Sequence, residues 1–405
     1  MNQELIRIID NIARDKNIDK ESIFQDLESA MVSAARKHFG VQHNAEVEVS
    51  VHIDRTTGDI RAFKDEVEID IRQLGRIPAQ TAKQVMIQKI KADERDSIYT
   101  EYVQRKGEVV NGIAGRFEGG TLVVNLENRV EAIMPKSEQI TGASHHPGER
   151  VRAMILDVRE SSSQIKIVLS RTHPDFIRKL FEQEVPEVAE GIIEIKSLSR
   201  EAGYRTKIAV DTVDDKVDPV GACVGVRGSR IRNIVDELGG EKIDIVRWSD
   251  SSQVLIANAL MPAKVSEIAI CFELGRATVV VTEDQLSLAI GKHGQNVRLA
   301  ARLTGWDIDI LTPNEYNKEV DRLAVCVKGV EGLDDNFVDK LLALGIISVL
   351  DLEEVGTEPL IEELQVPEAQ AAAVIKAAEE AAKRAAAEDS ATQAKNLLKE
   401  ERKKD

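Results

Sequence analysis

Hydrophobic positions change their period four times along this chain before the chain repeats itself. Leu5, Ile8, Ile9 and Ile12 fall three and four apart, which marks one face of a helix. A second helix is expected to open at Asp19 or Ser22 and to close at Gly40. The period then drops to two. Val47, Val49, Val51 and Ile53 alternate with polar residues, and Thr56-Thr57-Gly58-Asp59 supplies a hairpin turn. After Pro78 a long helical stretch runs to about Lys106, completing an α+β domain over residues 1–105 that holds no catalytic constellation.

From Gly107 to Arg171 the texture is that of short strands: GEVVNGIAGRF, TLVVNLEN, VEAIMP, GERVRAMILDVR and SQIKIVLSR, separated by G-G, N-R, H-H-P-G and S-S-S. Five strands with glycine turns and no long helix predict a small closed barrel of OB type over residues 106–172. Such barrels bind single strands, although a purely structural β module has the same pattern. Residues 172–188 read as a helical link.

Self-comparison is most informative over residues 190–312. A shift of 66 residues lays Gly225, Gly228, Ile231, Arg232 and Gly239 on Gly291, Gly294, Val297, Arg298 and Gly305. One residue of slippage later, Ile243-Asp244-Ile245 meets Ile308-Asp309-Ile310. Each copy reads as apolar helix, Gly-x-x-Gly, second helix, glycine turn, strand, which is the arrangement of a KH module. The first is assigned to residues 173–255 and the second to residues 256–318.

Glycines at both ends of such a turn let a sugar-phosphate backbone approach the main chain, and the helix that follows offers unpaired N–H groups to an anion. The inner residues are partly basic: Val226 and Arg227 in the first turn, Lys292 and His293 in the second. Arg230 and Arg232 follow the first, Arg298 and Arg302 the second. One such turn alone is commonly just a tight turn; its duplication with cations in and after both copies favours RNA or single-stranded DNA. Val224, Ile290, Ala289, Ala300 and Ala301 are taken as core residues.

The net charge of -16 argues against a nucleic-acid ligand until its location is considered. Residues 319–405 carry 20 acidic and 11 basic side chains, so more than half of the excess lies there, and the middle of the chain is close to neutral. Cys223, Cys271 and Cys326 show neither metal spacing nor a disulfide framework and are expected to be core thiols. No apolar run approaches the roughly 20 residues needed to cross a bilayer, and MNQELIRIIDNIARD carries no secretory or organellar signal; no membrane association and a cytoplasmic location are expected.

Several strings resemble the NusA family of bacterial transcription termination/antitermination factors, in order, over about residues 1–320. They are RTHPDFIRKLFEQEVPEVAEGIIEIKSLSREAGYRTKIAV, DPVGACVGVRGSRIRNIVDELGGEKIDIV, QLSLAIGKHGQNVRLAARLTGWDIDI and IPAQTAKQVMIQKIKADER near residue 77. The resemblance implies an N-terminal domain that docks on RNA polymerase core near the RNA exit channel, and barrel and KH modules that track single-stranded nascent RNA. Pausing, intrinsic termination and, with other antitermination factors, antitermination are modulated; no reaction is catalysed, and no cofactor or metal is expected. Carried over by residue, the contacts are Gly225 to Gly228 and Gly291 to Gly294, with Arg227, Arg230, Lys292 and Arg298 nearby. The fold class implied is multidomain α+β: an N-terminal α/β polymerase-binding domain, a five-stranded OB-type barrel, two tandem type II KH domains, and a C-terminal helical repeat with an Ala-rich tail.

Two departures stand out. Val226 replaces a proline common in the family, which loosens the first turn. The barrel has Phe117 nearly alone instead of an aromatic platform, so it is expected to contribute less than the KH pair, since stacking is worth roughly 1–3 kcal/mol per base. Arg116, Arg129, Lys136, His145 and His146 can reach phosphate but read more simply as solvated loop residues, and the two histidines lack companions for a metal site.

Residues 319–366 form an acidic repeat of helix-hairpin-helix kind, with Phe337, Val338, Leu341 and Leu342 at helical spacing before Gly345. Its charge points to a protein partner, such as another polymerase subunit. Residues 367–405 are Ala-rich and are expected to be a solvated helix that frays. Two alternatives share the RNA-binding parts: a phosphorolytic exoribonuclease, for whose catalytic core the first 105 residues are too few, and a ribosome-associated RNA chaperone.

Overall fold

A computed structural model describes residues 6–7, 9–11, 13–14, 19–38, 48–65, 67–69, 76–127, 130–160, 165–330, 332–334 and 336–401, with backbone alone for 34, 76–86, 89–90 and 385–401. Leu5, Ile8, Ile12, Gly40, Val47, Arg129 and the serine turn at 161–163 lie outside the described residues. The chain divides into two compact units, residues 1–139 with 144–173, and 140–143 with 174–405.

In the first unit, helix α1 (Lys20–His38) begins where the Asp19 carboxylate accepts the Ser22 N–H at 3.2 Å. Its buried face, Ile23, Phe24 and Leu27, packs with Ile9 and Ile53. Strands β1 (Val49–Ile53), β2 (Ile60–Lys64) and β3 (Val67–Ile69) form an antiparallel meander, with Val49, Val51 and Ile53 all buried as their alternation requires. Arg55 in the hairpin turn pairs with Glu21 and Glu28 of α1, fixing the turn to the helix. Helix α2 (Arg76–Gln104) starts two residues ahead of Pro78, which sits in the first turn where its missing N–H costs nothing.

The same unit contains the barrel. Strands β4 (Val109–Glu118), β5 (Thr121–Asn125), β6 (Glu131–Met134), β7 (Arg150–Glu160) and β8 (Ile165–Ser170) close in the order β4-β5-β6-β8-β7. Leu122, Val124, Ala132, Met134, Ile155, Ile167 and Leu169 fill the interior, and Tyr102 of α2 joins them. Gly112 is required there, because a Cβ would stand 2.4 Å from the Val124 side chain.

The second unit opens with α3 (Pro174–Glu184) and α4 (Pro186–Ala189). Strands β9 (Ile193–Glu201), β10 (Arg205–Thr212) and β11 (Lys242–Arg247) form a mixed sheet in which β10 runs antiparallel to β9 and parallel to β11. Between the parallel strands lie α5 (Pro219–Val224) and α6 (Ser229–Glu237), joined by the first glycine turn. The plan then recurs: α7 (Ser252–Leu260), β12 (Glu267–Cys271), β13 (Arg276–Val280), α8 (Glu283–Ile290), α9 (Gln295–Thr304) and β14 (Asp307–Leu311), with the same strand order and directions. These are two type II KH modules.

The modules share one core. Ala209 and Val246 of the first pack in the same cluster as Leu255, Ile256, Ala277, Val279, Ala300 and Leu303 of the second. Helix α9 lies against β9 and β10, and Ser197 Oγ donates to the Leu303 carbonyl at 2.7 Å.

Helix α10 (Pro313–Lys328), opened by a Thr312/Glu315 capping box, runs straight through the position where the second KH module was expected to end. It is followed by α11 (Phe337–Ala343), α12 (Val349–Val355), α13 (Glu358–Glu362) and α14 (Glu368–Glu401). Leu323, Val327, Phe337, Leu341, Val349 and Leu352 form their core. The expectation of a solvated tail from residue 367 is corrected: Ala371, Val374, Ala378 and Ala382 are buried, the first three in this core. Small side chains at helical spacing let helices approach closely, so burial here needs little apolar bulk. The repeat is seated on the second KH module. A Cβ on Gly345 would fall 2.2 Å from the Ile270 carbonyl oxygen, and Arg276 pairs with Asp351 at 2.5 Å and Glu354 at 3.0 Å. Among the described residues, no helix is long and apolar enough to cross a membrane.

Candidate nucleic-acid interface

The two glycine turns superimpose in their torsions. Gly225 and Gly291 have φ/ψ of 75°/174° and 74°/174°; Gly228 and Gly294 have 75°/21° and 71°/16°. Between them Arg227 and His293 both sit in the left-handed region, at 53°/27° and 53°/31°. For non-glycine residues that conformation costs on the order of 1 kcal/mol, and the same cost is met twice at the same place.

The paired glycines serve different ends. A Cβ on Gly225 would stand 2.8 Å from Arg230 Cγ, and one on Gly291 2.7 Å from Asn296 Cβ, so the first glycine lets the following helix close on the turn. At Gly294 nothing lies within 4 Å, and at Gly228 only an Ile231 methyl at 3.8 Å. The second glycine therefore faces open space at the start of α6 or α9; its own N–H turns back to the first glycine's carbonyl, at 3.0 Å in the first turn and 3.2 Å in the second, and those of Ser229 and Gln295 turn back to the Val226 and Lys292 carbonyls. A phosphate can approach the bare backbone there.

Arg227, Lys292 and His293 are exposed and make no ion pair among the described residues. Val226, 82% exposed, stands at the tip of the first turn. Arg302 is likewise exposed, whereas Arg230 and Arg298 are committed. Arg230 Nη1 donates to the Glu187 carboxylate at 2.9 Å and to the Ala222 carbonyl at 2.7 Å, which makes it a brace of the turn. Arg298 Nε donates to Glu201 at 2.7 Å, while exposed Arg232 reaches the Arg227 carbonyl at 3.5 Å.

Ile290 is not the core residue expected: it is 37% exposed and Leu288 is 47% exposed, while Val224 and Ala301 are half-buried. Ala289 and Ala300 are fully buried. The helix ahead of the second turn thus presents two aliphatic side chains outward, an apolar strip on which base faces can lie.

On the barrel, Phe117 is 48% exposed near the end of β4. Neighbouring Arg116 is held by Glu118 at 2.6 Å and Glu131 at 3.0 Å. Lys136 and His146 are exposed. His145 differs from the expected solvated residue; its ring is largely buried, with Nδ1 3.8 Å from Glu149, because the loop folds back so that the Gly148 N–H reaches the Ala114 carbonyl at 2.8 Å.

Two carboxylates that support the turns, Glu187 and Glu201, have no local signal, since their partners lie 43 and 97 residues away. The Glu187 carboxyl is held below its usual range by its own N–H and the Arg230 guanidinium. Burial pushes Glu201 up, but hydrogen bonds from Arg298 and Gln295 outweigh it and hold it low. Burial pushes the Cys223 thiol to about 12; Cys271 is also buried and Cys326 half-buried. Among the described residues, no cluster suits a metal.

Matched glycine turns on tandem KH modules, in a chain that also carries a small closed barrel, define the class: a modular nucleic-acid-binding protein. Family descriptions agree with this. "NusA-like first KH domain" matches residues 171–248, "NusA-like second KH domain" 252–318, and "NusA N-terminal domain" 4–66 and 62–96. The chain is 41% identical over 342 residues to the transcription termination/antitermination protein NusA of Bacillus subtilis (strain 168), covering 76% of this chain and 91% of that one. It is 41% identical over 347 residues to the NusA protein of Halalkalibacterium halodurans, covering 78% and 90%. For the Rickettsia conorii protein of the same name the figures are 39% over 352 residues, 78% and 69%. The chain belongs to the NusA family.

Proposed function

We propose that the chain is a non-catalytic transcription elongation factor that binds RNA polymerase and nascent RNA and modulates pausing, intrinsic termination and antitermination. The observation that carries this reading is the pair of torsionally identical turns with exposed Arg227, Lys292 and His293, in a chain that matches NusA proteins over most of its length. RNA lies with phosphates on the open side of Gly228 and Gly294 and bases along Val226, Leu288 and Ile290. Residues 1–105 dock on RNA polymerase core near the RNA exit channel, other antitermination factors join the complex, and the acidic repeat meets a protein partner. Phe117 adds a single stacking surface on the barrel.

The test is a pause assay on purified RNA polymerase with the full chain added, alongside recovery of the polymerase core on the immobilised chain. Longer pauses and polymerase recovery are expected. Recovery of ribosomal subunits without polymerase would replace this reading with that of an RNA chaperone.

A further inference from the structure

We propose that Glu201, which belongs to the first KH module, is the positioning residue of the second module's cradle; this rests on the reading of Gly291–Gly294 as a phosphate cradle. Glu201 ends β9, and its two oxygens take separate donors from α9. Oε2 accepts from Gln295 Nε2 at 2.8 Å and Oε1 from Arg298 Nε at 2.7 Å. Gln295 directly follows Gly294, so the carboxylate grips the first turn of the helix that the second cradle opens.

The first cradle has a support of the same kind. Glu187, on α4, holds Arg230, which lies one residue beyond the first residue of α6. In both copies a carboxylate from an earlier stretch of chain seizes the helix behind the glycine turn. For the second copy that stretch is the other module's sheet. Asn296, the remaining brace of the second turn, bonds only to carbonyls of its own module, at Leu260, Leu288 and Ala289. The sole charged grip on the start of α9 among the described residues is therefore supplied from outside its module.

This makes the two cradles unequal partners. The first is set by its own helical lead-in, whereas the second, braced within its module by Asn296, also depends on β9 holding Gln295 and Arg298 at the start of α9. A cradle whose geometry is fixed beforehand binds more tightly because ordering is not left to the ligand. Arg298 takes part in RNA binding through this grip and not through phosphate.

The experiment measures affinity of the full chain for a labelled pool of random single-stranded RNAs about 12 nucleotides long, enough to cover two modules of about four nucleotides each. Glu201→Gln keeps the shape and removes the charge, and should weaken binding about fivefold, as expected for loss of a charge-assisted pair. In a Lys292→Asp/His293→Asp background the same change should cost nothing further, whereas with Arg227→Asp the full loss should persist. Glu201→Asp, with the charge kept, should recover part of the affinity. Equal losses in both backgrounds, no loss at all, or a gain from release of Arg298 overturns the assignment. Should Lys292→Asp/His293→Asp by itself leave affinity unchanged, the cradle reading fails first, and the role of Glu201 falls with it.

Discussion

Arg230 and Asn296 occupy equivalent places in the two KH modules and donate to equivalent carbonyls, Ala222 at 2.7 Å and Leu288 at 3.2 Å. Each ties the helix after the glycine turn to the end of the helix before it. The chemistry differs. Arg230 is partly exposed and also paired with Glu187, whereas Asn296 is 1% exposed and shares its two N–H donors among three carbonyls. Asn296→Ala removes the donor from the Leu288 carbonyl and the buried Ala289 carbonyl, while Leu260 keeps the Ala263 N–H at 3.2 Å, and should cost about 2–3 kcal/mol; Arg230→Ala, whose site water can enter, should cost about 1 kcal/mol. Urea denaturation of the two variants measures the difference; equal losses would show that burial is not what separates them.

The glycines of the second turn should separate in the same way. Gly291→Ala meets Asn296 at both its Cβ, 2.7 Å, and its backbone nitrogen, 2.9 Å, in addition to the penalty of φ 74°. Gly294→Ala meets only the torsional penalty. The expected losses are about 3 kcal/mol or more and about 1 kcal/mol respectively, read from thermal melting. RNA affinity of the Gly294 variant should nevertheless fall, since its new methyl occupies the open side where phosphate approaches.

Lys292→Asp/His293→Asp places two carboxylates at the tip of the second turn. Filter binding should show at least a tenfold loss of RNA affinity and a shallower dependence on salt, because fewer cations are displaced from phosphate. Melting should be unchanged, as both side chains are exposed. Unaltered affinity would place the RNA elsewhere.

Acid should loosen the first unit at an identifiable point. Hydrogen bonds from Arg159 and Lys106 hold the Asp157 carboxyl at about 2, below its ordinary 3.8. A depressed carboxyl stabilises the folded form above its unfolded value and loses that contribution as pH falls through the folded one. The Lys106–Asp157 link at 3.1 Å should therefore contribute fully above pH ~4 and fade toward pH ~2. Asp157→Asn should flatten that part of the stability–pH curve, measured by denaturant titration at successive pH values.

Much of the fold was legible because its signals are local. Alternation at Val49, Val51 and Ile53 marks a half-buried strand whatever it pairs with, and glycine turns punctuate the barrel strands. The duplicated turn was equally plain, since left-handed backbone calls for glycine at fixed spacing. What escaped depends on distant partners. Nothing near Arg230 or Arg298 says that Glu187 and Glu201 will claim their charge, and nothing near Ile290 says that the helix turns it outward. The alanines of α14 look solvated until α10 and α12 are present to receive them.

The cluster that joins Ala209 and Val246 to Ala277 and Ala300 leaves the paired modules without a hinge. Swinging them apart would wet aliphatic surface that no solvent contact repays. If a ribonucleotide strand touches both glycine turns, as proposed above, it meets a separation that this core holds constant, and a bulge that lengthens the intervening backbone throws the second set of phosphates out of register.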